Sequence, residues 1–393
     1  MLLNRHQEMI AIIKQEIDEN PDDFRFMTLL GEVYGMMGEY GLAEEIYSHV
    51  LSEMPGDVMA QSALAELYAT KGEDKAFCQT VESLIKNEKL ETEERLKYLV
   101  DYALYKETTD SAYVLEFYRE LLQLPFDQLE LHHSYADYLK YRNADKSQLI
   151  PVYEKIVELD AENIAAIIEL LQYAIESDDE EAVFKYADEA LMFLPEHLEL
   201  HFYKGLSLYM LGNKKESIEA YLMGLEKRDK ETAPDVVAAV FTAVGDTYHE
   251  LGMKAETYAA YDSALVYAPY KLDVLNNYSY FLSLDGKELQ RALEMSQKTI
   301  TAEPENQTYL DTYAWILFKL KRYEEAKAYA EKIISLDEEM SPVVFHHIGD
   351  IFAKCGNMES AVIYWNKALE AGDETEILKK KIKRRRYYNG PEY

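Results

Sequence analysis

Apolar and small residues recur along this chain with a long period superimposed on the short one of a helix. Leu30-Gly31 is followed by Tyr34, Ala43, Tyr47 and Pro55. Lys204-Gly205 is followed by Leu208, Ser217 and Tyr221, and Val244-Gly245 by Tyr248, Thr257, Tyr261, Ala264 and Pro269. Ile348-Gly349 is followed by Phe352, Ala361, Trp365 and Ala368. The order is constant: apolar-small, then a large residue, a small residue and an aromatic at fixed offsets. A unit of about 34 residues with this content is a helix–turn–helix that stacks on its neighbours. Units are expected to begin near Phe24, Val58, Thr92, Gln128, Ile164, Leu198, Ala238, Leu272, Gln307 and Pro342. First helices should end at Gly38, Gly72, Gly212, Gly252, Gly286 and Gly356, because glycine accepts the left-handed cap. Second helices should stop ahead of Pro55, Pro125, Pro195, Pro269 and Pro304, because proline cannot continue the hydrogen-bond ladder.

The spacing implies a sequence of regions. Residues 1–23 hold one helix and a turn, the second half of a unit, which predicts that leading repeats have been lost upstream. Residues 24–231 form an array that degenerates over 92–163, where the glycine is missing and Ala103 and Ala136 are the best small residues. Residues 232–237 (Thr-Ala-Pro-Asp-Val-Val) read as an insertion between repeats and as the best seam between subdomains. The array resumes over 238–373, closest to the repeating pattern. Residues 374–393 form a basic capping helix and tail, with Ile377, Leu378 and Ile382 on its apolar side. The small positions Gly31, Gly205, Gly245 and Gly349 are expected to bring the helices of a repeat close together. The aromatics Tyr47, Tyr221, Tyr261 and Trp365 are expected to fill the gap to the next repeat.

Charge narrows the possible partners. The 393 residues carry a net charge of −32, yet residues 374–393 carry 7 Lys/Arg against 3 Glu. The remaining residues therefore form a strongly acidic body that repels phosphate backbones, so no nucleic acid is expected on the array. The basic stretch 379–386 could meet an anionic surface, but a solvated cap helix accounts for it. No apolar run reaches the roughly 18 residues of a membrane span, and the first residues have no signal-peptide core. Cys78 and Cys355 lie about eight repeats apart, too far to pair within a rigid array. No Gly-rich phosphate loop, GxSxG or HExxH appears, and every segment is spent on repeats, so neither an enzyme nor a cofactor is expected.

The repeating residues resemble the tetratricopeptide repeat (TPR) family over nearly the whole chain. The resemblance implies an all-α fold, a right-handed α-solenoid or superhelix with a C-terminal cap, whose first helices line a concave groove. It implies that positions two, five, nine, twelve and thirteen of a repeat face that groove. The richest candidates are Asn276, Asn277 and Tyr280, then Asp311, Thr312, Trp315 and Phe318, then His346, His347 and Asp350. Phe202, Leu206, Tyr209 and Met210 make a more apolar strip. Trp315 stands out as an aromatic anchor at a groove position; packing on Tyr280 or His346 is the alternative. Asp311 and Asp350 argue against the family's two-carboxylate clamp, since they would repel a carboxylate. His346 and Asp350, four residues apart, share a helix face, but no set of ligands for a closed metal site accompanies them. The segments 275–282, 308–318, 347–351 and 361–369 are similar to the C-terminal part of Bacteroidetes-type cell-envelope TPR proteins. That likeness implies a periplasmic or outer-membrane-associated place and leaves the cytoplasm open.

Two functions follow as expectations. The first is a non-enzymatic adaptor that binds a protein or peptide, basic or neutral rather than acidic, in the groove. The second is a spacer or self-assembling scaffold of an envelope complex, stacking on upstream repeats or on another copy.

Overall fold

A computed structural model describes residues 2–126, 128–336 and 339–389. Residues 390–393 of the expected tail lie outside the described residues. The described residues contain helices and no strand. They divide into two compact units, 1–177 and 178–393.

The first unit contains α1 (Leu2–Glu19), α2 (Phe24–Met36), α3 (Tyr40–Glu53), α4 (Val58–Lys71), α5 (Asp74–Ile85), α6 (Thr92–Leu121), α7 (Gln128–Tyr141), α8 (Lys146–Leu159) and α9 (Ile164–Glu176). The second contains α10 (Glu180–Ala190), α11 (Leu198–Met210), α12 (Lys214–Lys227), α13 (Pro234–Glu250), α14 (Lys254–Tyr267) and α15 (Leu272–Asp285). It continues through α16 (Leu289–Ala302), α17 (Gln307–Lys319), α18 (Tyr323–Ser335), α19 (Pro342–Lys354), α20 (Met358–Glu370) and α21 (Glu376–Arg384). Within each unit consecutive helices pair as antiparallel hairpins, and each pair packs on the next, as local repeats must.

Local chemistry sets the helix ends. Asp57 caps α4 by accepting from the Ala60 amide at 2.8 Å, and Asn306 caps α17 by accepting from Thr308 and Tyr309. At the other end, Gly72 and Gly286 take left-handed φ of 69° and 64° and bond back into α4 and α15. A side chain there would be strained.

Four of the hairpins are held by a ring seated on a glycine. A Cβ built on Gly31 would lie 2.5 Å from Cε1 of Tyr47, and one on Gly245 would lie 2.8 Å from the Tyr261 ring. Tyr221 covers Gly205 and Trp365 covers Gly349 in the same way. The rings also reach the next repeat, as expected: Tyr47 clusters with Leu64 and Leu67, Tyr221 with Val237 and Val240, and Tyr261 packs on Tyr278 with ring centroids 5.5 Å apart. All four are at most 3% exposed.

Three expectations change. Residues 234–237 are not a loop between repeats but the first turn of α13, begun by Pro234, with Val237 buried beside Leu198 and Tyr221. The division between compact units falls instead at residues 177 and 178. In the degenerate stretch the two helices of the third repeat, together α6, join at a sharp break at Asp110 (φ −156°, ψ 76°), whose carboxylate accepts from the Tyr113 amide at 3.1 Å, and fold back so that the Tyr102 and Phe117 rings lie 5.5 Å apart. Third, the basic cap is not solvated all round. On α21 Leu378 is 0% and Lys381 4% exposed, while the other basic residues of the stretch are open to solvent. Among the described residues no helix is long and apolar enough to cross a membrane.

Two substitutions four residues apart on α2 should have opposite signs. Gly31→Ala forces the Tyr47 ring off its seat and should destabilise by about 1–3 kcal/mol, the usual cost of overpacking. Gly35 has nothing within 4 Å of its built Cβ. Gly35→Ala should therefore stabilise by about 0.5–1 kcal/mol through helix propensity alone. Denaturation followed by circular dichroism checks both; equal shifts would refute the ring-on-glycine account.

Candidate functional site

The first helices of the last three repeats, α15, α17 and α19, lie side by side and present one face. Ser341 and Pro342 start α19 (the Ser341 hydroxyl accepts from Val344), and this phase turns both His346 and His347 inward. His347 stacks on Trp315 with ring centroids 3.9 Å apart, and Trp315 stacks in turn on Phe318 at 4.6 Å. The His347 Nδ1 sits 2.9 Å from a carboxylate oxygen of Asp311, which fixes the ring. Tyr280 flanks His347 at 6.2 Å.

A second polar cluster adjoins this stack. The ammonium of Lys381 donates to both oxygens of Asp350, at 2.8 and 2.6 Å, and to Nε2 of His346 at 2.9 Å. Because Nε2 accepts, the proton of a neutral His346 lies on Nδ1, which donates to Asp373 at 2.7 Å. Burial is the main influence on His346 and pushes its pKa below the ordinary value, which keeps the ring neutral. Trp365, seated on Gly349, also donates its Nε1 to Asp350 at 2.9 Å. The chain then reverses at Arg385 (φ 49°) and lays Tyr387 against Phe318, with ring centroids 5.8 Å apart. The Lys354 ammonium stands 4.2 Å from the same tyrosine ring. The chain's own C-terminal segment thus rests on the face that its first helices build.

This placement revises how the candidate residues stand. Asn276, Asp311, Thr312, Trp315, Phe318, His346, His347 and Asp350 are all buried, and Asn277 and Tyr280 are half-buried. Trp315, expected as an exposed anchor, is 1% exposed, because His347 and Phe318 sandwich it. Its Nε1 and the Oδ1 of Asn276 are buried without a hydrogen-bond partner among the described residues. His346 and Asp350 do share a face, but a lysine ammonium holds the two together. Among the described residues no group of three or more metal-ligating side chains is placed to hold an ion. In the apolar strip of α11, Phe202 packs on Tyr221, the Tyr209 hydroxyl donates to Glu250, and Met210 is exposed.

Sequence reasoning missed Lys381, Asp373 and Tyr387. Lys381 was detectable. It lies three residues after Leu378 and one before Ile382, on the apolar side of a nine-residue helix. Asp373 closes the turn before α21 by accepting from the Thr375 amide and hydroxyl. No local pattern marked it as a partner for His346.

Lys381→Met strands the buried Asp350 charge and should cost about 3–5 kcal/mol, while Lys383→Ala, on the solvent side, should stay within about 0.5 kcal/mol. The double variant Lys381→Met/Asp350→Asn should regain most of the loss; equal melting of all three variants would contradict the buried pair. His346 adds a pH dependence. Its folded pKa is depressed, so the unfolded chain binds more protons below the ordinary histidine value of about 6.5. The stability tied to a neutral ring is complete above that pH and is lost as pH falls through it. Denaturation across this range should show a shallower loss for His346→Asn than for wild type; equal slopes would contradict the assignment.

The sequence model of the tetratricopeptide repeat matches residues 308–340 and 343–371, the repeats that carry α17 to α20. No curated protein matches the chain. Among solved structures, the APC/C hetero-tetramer Cut9–Hcn1 is similar with a TM-score of 0.50 and 15% identity, over 92% of this chain and 76% of that one. Yeast Tom70 is similar over 97% of this chain and 92% of its own, with 14% identity and a TM-score of 0.40. The C-terminal part of a TPR repeat-containing protein from Cytophaga hutchinsonii matches 51% of this chain and 77% of its own, with 14% identity and a TM-score of 0.41. At 15% identity the likeness to Cut9–Hcn1 concerns the fold alone. Paired helices, ring-on-glycine packing and the likeness to Cut9–Hcn1 agree on an all-α helical-repeat solenoid, within which residues 308–340 and 343–371 match the tetratricopeptide repeat.

Proposed function

We propose that this chain is a non-enzymatic adaptor that binds a protein or peptide on the face its first helices build. The observation that carries this reading is that the face already accommodates a peptide segment, the chain's own. It takes a lysine ammonium on Asp350 and His346, and a tyrosine ring on Phe318. A surface that holds Lys381 and Tyr387 in cis has the chemistry to hold basic and aromatic side chains in trans. The acidic body favours the same kind of partner, basic or neutral.

In this proposal the ten candidate residues divide by accessibility. Asp311, Thr312, Trp315, Phe318, His346, His347, Asp350 and Asn276 form the packed floor and end of the surface. Asn277 and Tyr280, half-buried on α15, are where a partner would make contact. A peptide laid across α15 would meet side-chain amides for its backbone and a ring for its apolar groups.

A second reading, a scaffold component that stacks end to end, is favoured by α1, which leaves Met9 and Ile12 at 41% and 62% exposure. A place in a cell-envelope complex rests on the resemblance of the C-terminal third alone.

A photo-crosslinking residue installed at Tyr280, with Glu294 on the second-helix side of α16 as the control, tests the adaptor. In native extract, protein adducts should form at position 280 and be absent at 294. Adducts at 294 alone, or at neither position, would remove this face as the binding surface.

A further inference from the structure

A separate recess lies in the first unit, where the repeat pattern degenerates. Leu96, Val100, Ala103 and Leu104 recur along the first half of α6 at helical spacing, on the side turned toward α7. With Glu130, His133, Asp137 and Tyr141 of α7 they enclose a cavity of ≈ 390 Å³. Its floor is a stack of buried tyrosines, Tyr118 on Tyr138 at 5.2 Å, and Ser134 is occupied by the Tyr118 hydroxyl at 3.0 Å. The small Ala103, 2% exposed, leaves the recess its depth.

The walls remain open to solvent. Val100 is 45%, Leu104 47% and Tyr141 61% exposed, three large apolar side chains around one mouth. Isolated exposed apolar residues need no explanation, but a concave cluster does. At the rim stand two exposed carboxylates, Glu130 and Asp137, which have no ion-pair partner among the described residues. They are two helical turns apart on α7, so their Cα atoms are separated by about 10 Å. An extended peptide covers the same distance in about three residues.

We infer that this recess is a binding site for a peptide segment of a partner protein. The segment would insert one large apolar side chain, Phe or Leu, between α6 and α7. It would carry Lys or Arg three residues apart, beside that anchor, to meet Glu130 and Asp137. The acidic rim selects this occupant over an acyl chain, whose carboxylate it repels, and over an acidic peptide. The inference rests on the reading of this chain as a protein-binding array, but its surface lies in the other compact unit from Tyr280. Loss of one site therefore leaves the other standing.

The test uses the full chain and a fluorescently labelled peptide, Gly-Lys-Phe-Ser-Lys-Gly, followed by anisotropy. The controls are the same peptide with Glu for both Lys, the same peptide with Ala for Phe, and decanoate as an acyl competitor. The Lys–Phe peptide should bind in preference to both controls. Val100→Gln/Leu104→Gln should weaken it at least tenfold. Both side chains are already half in solvent, so this variant keeps its fold, which circular dichroism verifies. Glu130→Lys/Asp137→Lys should reverse the preference toward the Glu–Phe peptide, a change that unfolding could not produce. The proposal is overturned if no peptide binds below about 1 mM. It is equally overturned if the apolar variant leaves binding unchanged, or if decanoate binds this site and the peptide does not.

Discussion

An aromatic ring pressed onto a bare glycine backbone is the contact on which four of these repeats depend. Tyr47 on Gly31, Tyr221 on Gly205, Tyr261 on Gly245 and Trp365 on Gly349 each fix how closely the second helix of a hairpin approaches the first. A buried ring removes about 150–250 Å² from water, which makes it a major apolar contribution in a fold with no central core. Elsewhere Ala65, Ser279 and Ala314 hold the glycine's place and the hairpins keep their form. In the degenerate stretch Leu99 and Tyr135 stand there, the two helices of the third repeat join at a sharp break, and a recess lies between α6 and α7.

The acidic surplus is partly absorbed by tyrosine. With 73 Asp/Glu against 41 Lys/Arg, many carboxylates have no cation to pair with, and the chain supplies 33 Tyr. Tyr68 donates to Glu44, Tyr113 to Glu82 and Tyr258 to Asp285, each across neighbouring helices at 2.8–3.1 Å. Burial, assisted by the nearby Glu82, pushes the Tyr113 phenol up to about 12, so it remains a donor at every physiological pH. Lysines add bridges from one repeat to the next, such as Lys71–Glu44 at 2.6 Å and Lys86–Glu120 at 2.8 Å. Exposed pairs of this kind contribute little individually, so their role is mainly to balance charge along the stack.

Much of this fold was legible in the sequence because short-range rules set it. Gly72 and Gly286 announced helix ends through the backbone conformation they permit, and Ala43 and Ala361 announced close packing. The candidate site was less legible, because its state depends on contacts between distant residues. A position rule put Trp315 on the inner face, but only the neighbouring His347 and the adjacent Phe318 decide that it is covered. Lys381 belonged to a run of charges, and the run concealed the one that turns inward. Residues 232–237 looked like surplus chain, yet Pro234 begins a helix and Val237 finds a core. The α6–α7 recess needed the structure, since a loss of pattern in sequence does not say what replaces it.

The account turns on the C-terminal segment lying on the first-helix face of the last repeats, so that the open surface begins at α15. Hydrogen–deuterium exchange on the intact chain measures this directly. Amides of 377–384 should be protected to the same degree as those of α19, since Leu378 and Lys381 are packed beneath them. Exchange in that segment at the rate of a free peptide, with α19 still protected, would mean that the face is bare and that its basic segment does not define what it binds.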